Sequence, residues 1–440
     1  MNPKTNSQKL TLIDRPNYTN KLLSYLDKPV IKILVGIRRA GKSSIMQLVI
    51  QKLQEKGIPK HNIIYINKEH VDFADITNYK ELYDYIHKQL GKASNKHPKY
   101  VFIDEVQKIA DWQKTVTDLL AKNTADIILS GSNSTLLGGH LATLLSGRYV
   151  TIPVYPLSFK EFVYFNEQIQ NLKNASHQKS TSQTSTLPQQ VTSPIEQLFN
   201  TYLQYGGLPA LPKILDNTQF VIEYLQNVLD TIIYKDILQY YNIKNLKIFD
   251  HILRFLFENI SNITSGRNIV NYFKNQQLSI APETVLNYIK YLETAFIFDT
   301  VKRYDLQGKR YLDIYEKLYT TDLGLRTALI GYNPNDINKL LENVVYNELK
   351  TRGYTVSIGK LNGSEIDFIA EQNNYKHYYQ VTYLLPDKST IQREFGNLLK
   401  IKDNYPKTVL SMDKFFGGGT TSTNYEGIEH KNIIEFLLAN

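Results

Sequence analysis

The stretch Gly36-Ile37-Arg38-Arg39-Ala40-Gly41-Lys42-Ser43 constrains this chain more than any other. It meets every fixed position of the phosphate-loop pattern G-x-x-x-x-G-K-[ST]. Its flanks agree with the match. Ile31–Val35 before it is a continuous apolar run with the character of a buried strand. The stretch from Ser44 to Lys56 after it reads as a helix with Ile45, Leu48 and Val49 on one face. A strand, a glycine loop and a helix in that order place backbone N–H groups and the positive helix end around an anion. Gly36 and Gly41 allow backbone angles and close approaches that a Cβ would forbid. Lys42 can reach the terminal phosphates of a nucleoside triphosphate, and the Ser43 hydroxyl suits the oxygen shell of Mg²⁺. Residues 36–44, Ser44 included, are therefore the nucleotide-binding candidates. Arg38 and Arg39 could face phosphate or solvent, and the sequence leaves both readings open.

A loop that binds a triphosphate needs acids to hold the metal and to activate water. Tyr100-Val101-Phe102-Ile103-Asp104-Glu105 supplies them at the end of an apolar run. Asp104 is the expected metal ligand beside Ser43, and Glu105 the expected acid that orients the attacking water. The next apolar run, Ile127-Ile128-Leu129-Ser130, ends in Gly131-Ser132-Asn133. If it lies beside the acid-bearing strand, Ser132 or Asn133 faces the phosphate or the water; the plainer alternative is a turn that caps a following helix. Arg148 is an arginine-finger candidate, a cation to offset charge on the transferred phosphoryl group. Its alternative is an ordinary surface arginine.

Apolar runs at 30–35, 62–66, 100–103, 126–130 and 149–155 alternate with helical stretches. This predicts an α/β layer with a parallel sheet. Residues 168–194 are rich in Ser, Thr, Gln and Asn, and read as an insertion or linker. Helices follow at 194–205 and about 218–241. Between 245 and 314, three helices precede an expected hairpin, the outline of a winged helix. A helix from 336 to about 352 and strands at 354–360, 366–372 and 377–384 complete the reading. The expected organisation is 1–165, an α/β phosphate-loop domain; 166–194, a polar insertion; 195–330, a helical and winged-helix-like region; and 331–440, a C-terminal α/β domain.

The chain has 440 residues and no cysteine, so disulfides and thiolate chemistry are excluded. The net charge of +9 is concentrated in the first 170 residues, a balance suited to phosphate. No apolar run approaches the roughly 20 residues of a membrane span, and a cytoplasmic location without membrane contact is the expectation.

Taken together, VGIRRAGKSS, YVFIDEVQ, LSGSNS, SGRYVTIPVYPLSFKEF, YLQYGGLP and KLYTTDLGLR resemble a prokaryotic family of AAA-like ATPases. Its members carry a C-terminal domain of unknown function distantly similar to restriction-endonuclease-fold nucleases. The resemblance covers nearly the whole chain apart from the polar insertion. It implies an additional-strand P-loop NTPase core, a winged-helix segment and that C-terminal domain. ATP and Mg²⁺ are the implied ligands. A protein partner, DNA and self-assembly all stay open.

A nuclease of that type needs a helix Glu, a strand Asp and a following E/Q-x-K around one metal. Glu342, Glu365, Asp367 and Gln380 fit, but Thr382 stands where the lysine belongs. Neither Lys360 nor Lys376 has a spacing that repairs this. The expectation is accordingly an ATPase that drives a conformational switch on a protein or nucleic-acid partner. An ATP-regulated nuclease and a non-hydrolysing scaffold are the alternatives.

Overall fold

The computed structural model describes residues 12–133, 145, 147–176, 193–414 and 424–439. The chain divides into two units, Met1–Val154 and Tyr155–Asn440. The first unit contains α1 (Pro16–Tyr25), β1 (Ile31–Val35), α2 (Lys42–Glu55), β2 (Ile63–Asn67), α3 (Tyr79–Leu90), β3 (Tyr100–Asp104), α4 (Trp112–Ala121), β4 (Asp126–Gly131) and β5 (Tyr149–Pro153). Its five strands run in the order β2-β3-β4-β1-β5, and every pairing is parallel. Every residue of β1 and β3 is buried, as the unbroken apolar runs require of strands covered on both faces. Even Lys32 is buried in β1, its ammonium held by Asp126 and by the Lys28 carbonyl at 2.9 Å.

Because the sheet is parallel, the C-terminal ends of β1, β2, β3 and β4 share one edge. The glycine loop leaves β1 at that edge. A Cβ on Gly36, whose φ is +152°, would lie 2.1 Å from the Val154 carbonyl oxygen. The first loop glycine is thus dictated by the chain crossing beside it, in addition to the anion-binding role expected from sequence.

The second unit opens with α5 (Phe159–Ser176), α6 (Pro194–Tyr205) and α7 (Thr218–Ile232), which continues through a π turn at Ile233–Leu238. Next come α8 (Leu246–Glu258), β6 (Ile263–Thr264), α9 (Gly266–Asn275), α10 (Pro282–Thr294), β7 (Phe298–Asp305), β8 (Arg310–Thr320) and α11 (Leu323–Ile330). Then follow α12 (Ile337–Thr351), β9 (Thr355–Leu361), β10 (Ser364–Gln372), β11 (Tyr375–Val381), α13 (Lys388–Leu399), β12 (Lys407–Ser411), β13 (Asn424–Tyr425), β14 (Ile428–Asn432) and α14 (Ile433–Leu438).

Two features depart from the sequence reading. The polar segment expected from residue 166 begins as helix, since α5 runs to Ser176. Phe162, Phe165 and Ile169 are buried on one face, and the Gln, Asn and Lys residues that follow are tolerated in a helix already nucleated. Residues 177–192 lie outside the described residues. The second departure concerns the boundary expected at 330. The nine-stranded sheet has the order β13-β14-β12-β11-β10-β9-β7-β8-β6. Strands from 263–320 and from 355–432 are therefore one sheet, joined where β7 pairs in parallel with β9 through Arg303 and Ile358. The hairpin read as a wing runs to Thr320 and is part of that sheet. Among the described residues, no helix is long and apolar enough to cross a membrane.

The YLQYGGLP and TTDLGLR stretches meet inside this unit. Asp322, buried, accepts from Gly207 N at 2.8 Å and from Gly324 N at 2.8 Å, and so caps α11. Gly206 has φ +77°, and a Cβ there would lie 2.1 Å from Asp322 Oδ1. A glycine is needed for both conformation and space.

On β11, His377 stacks on Tyr379 with ring centroids 4.1 Å apart, and its Nε2 meets Thr408 Oγ1 at 2.8 Å. Burial, reinforced by Lys431 and opposed by Glu429, depresses its pKa to about 4. The unfolded chain therefore binds this proton first as pH falls from the ordinary histidine value. Stability is retained above that value and lost on acidification, by up to about 3 kcal/mol through this group. Urea unfolding at pH 7 and 4.5 should show the loss, and His377→Gln should flatten most of it. Identical pH slopes for the two proteins would remove His377 as the cause.

Candidate functional site

The edge where β1 to β4 end gathers the phosphate loop and the acids. Gly41, with φ +97°, precedes α2, and no side chain caps the helix start. The first-turn N–H groups have no intrahelical acceptors, which leaves a positive helix end suited to an anion. Lys42 is buried, and its Nζ donates to the carbonyls of Gly36 at 2.9 Å and Ile37 at 3.1 Å. Ile37 and Ala40 have fully buried side chains, so only their backbone can face a ligand. Ser43 and Ser44 are half-buried at the helix start, whereas Arg39 is exposed with φ +69°. From α1's entry, Arg15 donates through its NH1 to the Ala40 carbonyl at 2.9 Å. It braces the loop in a way the sequence reading did not identify.

Asp104 ends β3 and is buried. One carboxylate oxygen accepts from the Ser130 hydroxyl and the other from Tyr65 OH at 3.1 Å. Burial and the Asp104 charge raise the Tyr65 pKa, so the phenol stays a donor. Glu105 takes the left-handed conformation, φ +57° and ψ +50°, at a cost on the order of 1 kcal/mol. Its N–H donates to Ser130 Oγ at 3.1 Å. Its Oε2 accepts from Gln107 Nε2 at 2.7 Å and from Ser132 Oγ at 3.1 Å.

Arg38 links the loop to these acids. Its NH1 pairs with Glu69 at 2.9 Å, and its NH2 lies 3.4 Å from Ser132 Oγ and 3.9 Å from Glu105 Oε2. Burial works against the Glu69 charge, but Lys108 and Arg38 outweigh it and lower its pKa. The structure thus brings Gly36–Ser44, Asp104, Glu105, Ser132 and the buried Asn133 to one edge.

Arg148 is elsewhere. Its carbonyl accepts from Ile31 N at 3.0 Å, and Tyr149 pairs with Ile31. It therefore sits at the start of β5, beside the start of β1. The loop is five residues further along that strand, roughly 16 Å at the usual strand rise. The finger expected from sequence is not part of its own chain's site, because parallel pairing puts strand starts and strand ends on opposite edges. A groove of about 680 Å³ also lies on that far edge, lined in part by Asp27, Lys99 and Asp126. It is remote from the loop.

Tyr65, Glu69, Gln107 and Ser130 occupy no fixed place in the phosphate-loop pattern or the acid pair, and position is the signal three of them carry: Ser130 lies near the end of β4, and Glu69 and Gln107 lie just past the ends of β2 and β3.

In the second unit, Lys317 of β8 is buried among Glu342 at 2.8 Å, Glu365 at 2.6 Å and Asp367 at 3.8 Å. Tyr319 OH donates to Glu342 at 2.5 Å, and Asp367 accepts from Val381 N at 2.8 Å. Asp367 N approaches Gln380 Oε1 at 3.5 Å. Burial opposes the lysine's charge, yet Glu342, Asp367 and Glu365 together raise its pKa. Burial first and Glu342 second push Asp367 well above the usual carboxylate range. One ammonium serves three carboxyl groups. The ammonium beside these acids comes from β8 and not from the Thr382 position, and no ion pair joins Lys360 or Lys376 to the cluster among the described residues: Lys376 pairs with Glu371 at 2.6 Å. Among the described residues, no group of three or more acidic or histidine side chains is arranged to hold a metal ion.

A parallel sheet with β4 between β1 and β3, and a phosphate loop opening onto α2, defines the first unit as a P-loop domain of the AAA ATPase class. Residues 28–163 match the AAA domain family, and residues 196–336 match a domain of unknown function. The chain belongs to the same family as an uncharacterized protein of Haemophilus influenzae. The two are 34% identical over 427 residues, 97% of this chain and 99% of that one. An uncharacterized protein of Methanocaldococcus jannaschii is 29% identical over 378 residues, 85% of this chain and 79% of that one. A Walker-type ATPase of Pyrococcus abyssi shares the fold with a TM-score of 0.51 at 18% identity, over 75% of this chain and 98% of that one.

Lys317→Met should cost about 3–5 kcal/mol at neutral pH, because buried carboxylates lose their cation. The cost should shrink at pH 5, where those carboxyl groups take up protons instead. Denaturant unfolding at both pH values tests this, and a loss below about 1 kcal/mol at pH 7 would show that the cluster is not held by Lys317.

Proposed function

We propose that the first unit binds ATP at residues 36–44 and hydrolyses it, and that nucleotide state drives a conformational switch acting on a protein or nucleic-acid partner. The observation that carries this reading is the convergence of the loop with Asp104 and Glu105, measured by Arg38 reaching both Ser132 and Glu105. Lys42 and the α2 N-terminus offset the phosphate charge. Asp104 and the Ser43 hydroxyl would hold Mg²⁺. Their hard oxygen donors suit that ion, which, when bound, screens phosphate charge and polarises the phosphoryl group.

Glu105 orients a water molecule and accepts its proton as the water oxygen bonds to the γ-phosphorus. The bond from that phosphorus to the bridging oxygen breaks, and the oxygen leaves on ADP. The proton then passes from Glu105 to solvent. Ser132 and Gln107 fix the carboxylate, a constraint on orientation that general-base action requires. Asn133, buried on the same strand end, is assigned to the water or the terminal phosphate. For Arg148, a role on phosphate is assigned only across to a neighbouring copy.

Glu105→Gln should retain ATP binding within a few-fold and reduce turnover by about 10²–10⁴. Lys42→Ala should lose ATP affinity. Phosphate release and equilibrium binding, measured side by side, test both. Unchanged turnover in Glu105→Gln removes its assigned role, and binding without any phosphate release in the parent protein leaves a scaffold.

For the second unit we propose a restriction-endonuclease-like arrangement kept for recognition or assembly rather than cleavage. What supports this is Lys317, whose ammonium neutralises the carboxylates a metal would otherwise bridge. Plasmid DNA with Mg²⁺ or Mn²⁺, with and without ATP, should stay intact. Nicking that disappears in Asp367→Ala would reverse this assignment.

A further inference from the structure

The phosphate loop carries two adjacent arginines, and they are not equivalent. Arg39 is exposed, in left-handed backbone. Arg38 has a side chain only 8% exposed, and it spans from the loop to Glu69, Ser132 and Glu105. A buried guanidinium needs anions around it. Among its contacts with described residues the shortest is to the most weakly held acid: Glu69 is 44% exposed and shared with Lys108 at 3.4 Å. Water and Lys108 can satisfy Glu69 once the arginine leaves. The contact with Glu105, at 3.9 Å, is charge attraction without a close hydrogen bond. Glu105 keeps Gln107 and Ser132 in any case.

We propose that Arg38 is a positioning residue that reads the terminal phosphate. When a nucleoside triphosphate is seated, its guanidinium gives up Glu69 and Glu105 for that phosphate, and Glu105 is left to orient water. The inference rests on the reading of residues 36–44 as an ATP site. The chemistry favours the exchange. A guanidinium makes paired, charge-assisted hydrogen bonds to phosphate. A terminal phosphate also carries more charge than one carboxylate, and a diphosphate lacks that group. Glu69 then acts as a competing tether. It holds Arg38 over the acids until the third phosphate arrives, so hydrolysis-competent geometry is linked to triphosphate and not to diphosphate.

The test is equilibrium binding of ADP and of the non-hydrolysable β,γ-imido analogue of ATP, both with Mg²⁺, to the full chain. Arg38→Ala should weaken binding of the triphosphate about 10- to 100-fold more than binding of ADP. Arg38→Lys, a point charge without the fork, should recover part of that loss. Glu69→Gln, at a half-exposed position outside residues 36–44, should bind the triphosphate about threefold more tightly, with ADP unchanged. Equal weakening for both nucleotides in Arg38→Ala, or no gain for the triphosphate in Glu69→Gln, overturns the proposal while leaving the ATP site intact. If the parent binds neither nucleotide, or Lys42→Ala binds both as well as the parent, the ATP-site reading itself falls.

Discussion

The pairing of β4 with both β1 and β3 governs the first unit. β1 delivers the phosphate loop, β3 delivers Asp104 and Glu105, and β4 sets their separation by standing between them. Its own end then supplies Ser130 to Asp104 and Ser132 to Glu105. A one-residue slip of β4 would turn these serines to the opposite face of the sheet. Because β4 is apolar on both faces, burial alone does not choose this register; the polar residues at its two ends do, Asp126 on Lys32 at the start and Ser130 and Ser132 on the acids at the finish. The core and the site are therefore fixed by the same hydrogen-bond ladder.

Parallel pairing also divides the sheet's edges by chemistry. At the C-terminal edge, strand ends meet helix starts, where free N–H groups gather positive potential. At the N-terminal edge, the buried pair of Lys32 and Asp126 ties β1 to β4. Arg148 belongs to that second edge. Its sequence context resembled that of a finger, but strand polarity decides which edge a residue joins, and a short motif does not carry that information.

Legibility followed the same division. The glycine loop, the acid pair and the five strands of the first sheet could be read because each is a local pattern with a local physical cause. Continuous apolar runs mean strands buried on both faces, and glycines mean close backbone approach. Tyr65, Glu69 and Gln107 could not be read, because their contacts with Asp104, Arg38 and Glu105 depend on which strands become neighbours. The α5 extension to Ser176 was obscured by composition: Gln and Asn suit both a solvated helix and a linker, and only the buried Phe162, Phe165 and Ile169 anchor the former. In the second unit the strands were legible, but their union into one sheet was not. The pairing of Arg303 with Ile358 spans a sequence distance that no periodicity reveals.

Lys317 shows the consequence of that union. A motif confined to one strand would place the lysine two residues after Gln380. It arrives instead from β8, four strands away in the sheet order, and only because the hairpin and the C-terminal strands share a sheet with α12 packed across it. Once there, its ammonium lies within 2.8 Å of two carboxylates. The contrast with Arg38 lies in burial of the acids. Of the two acids described beside Arg38, the closer is a half-exposed glutamate that water can take over, so the bond can be exchanged. Of Lys317's partners, Asp367 is buried, and Glu342 and Glu365 are both less exposed than Glu69, so parting from them would strand charge in a poorly solvating interior. Similar ion pairs thus have opposite mechanical characters, and solvent access to the acid decides which one holds and which one lets go.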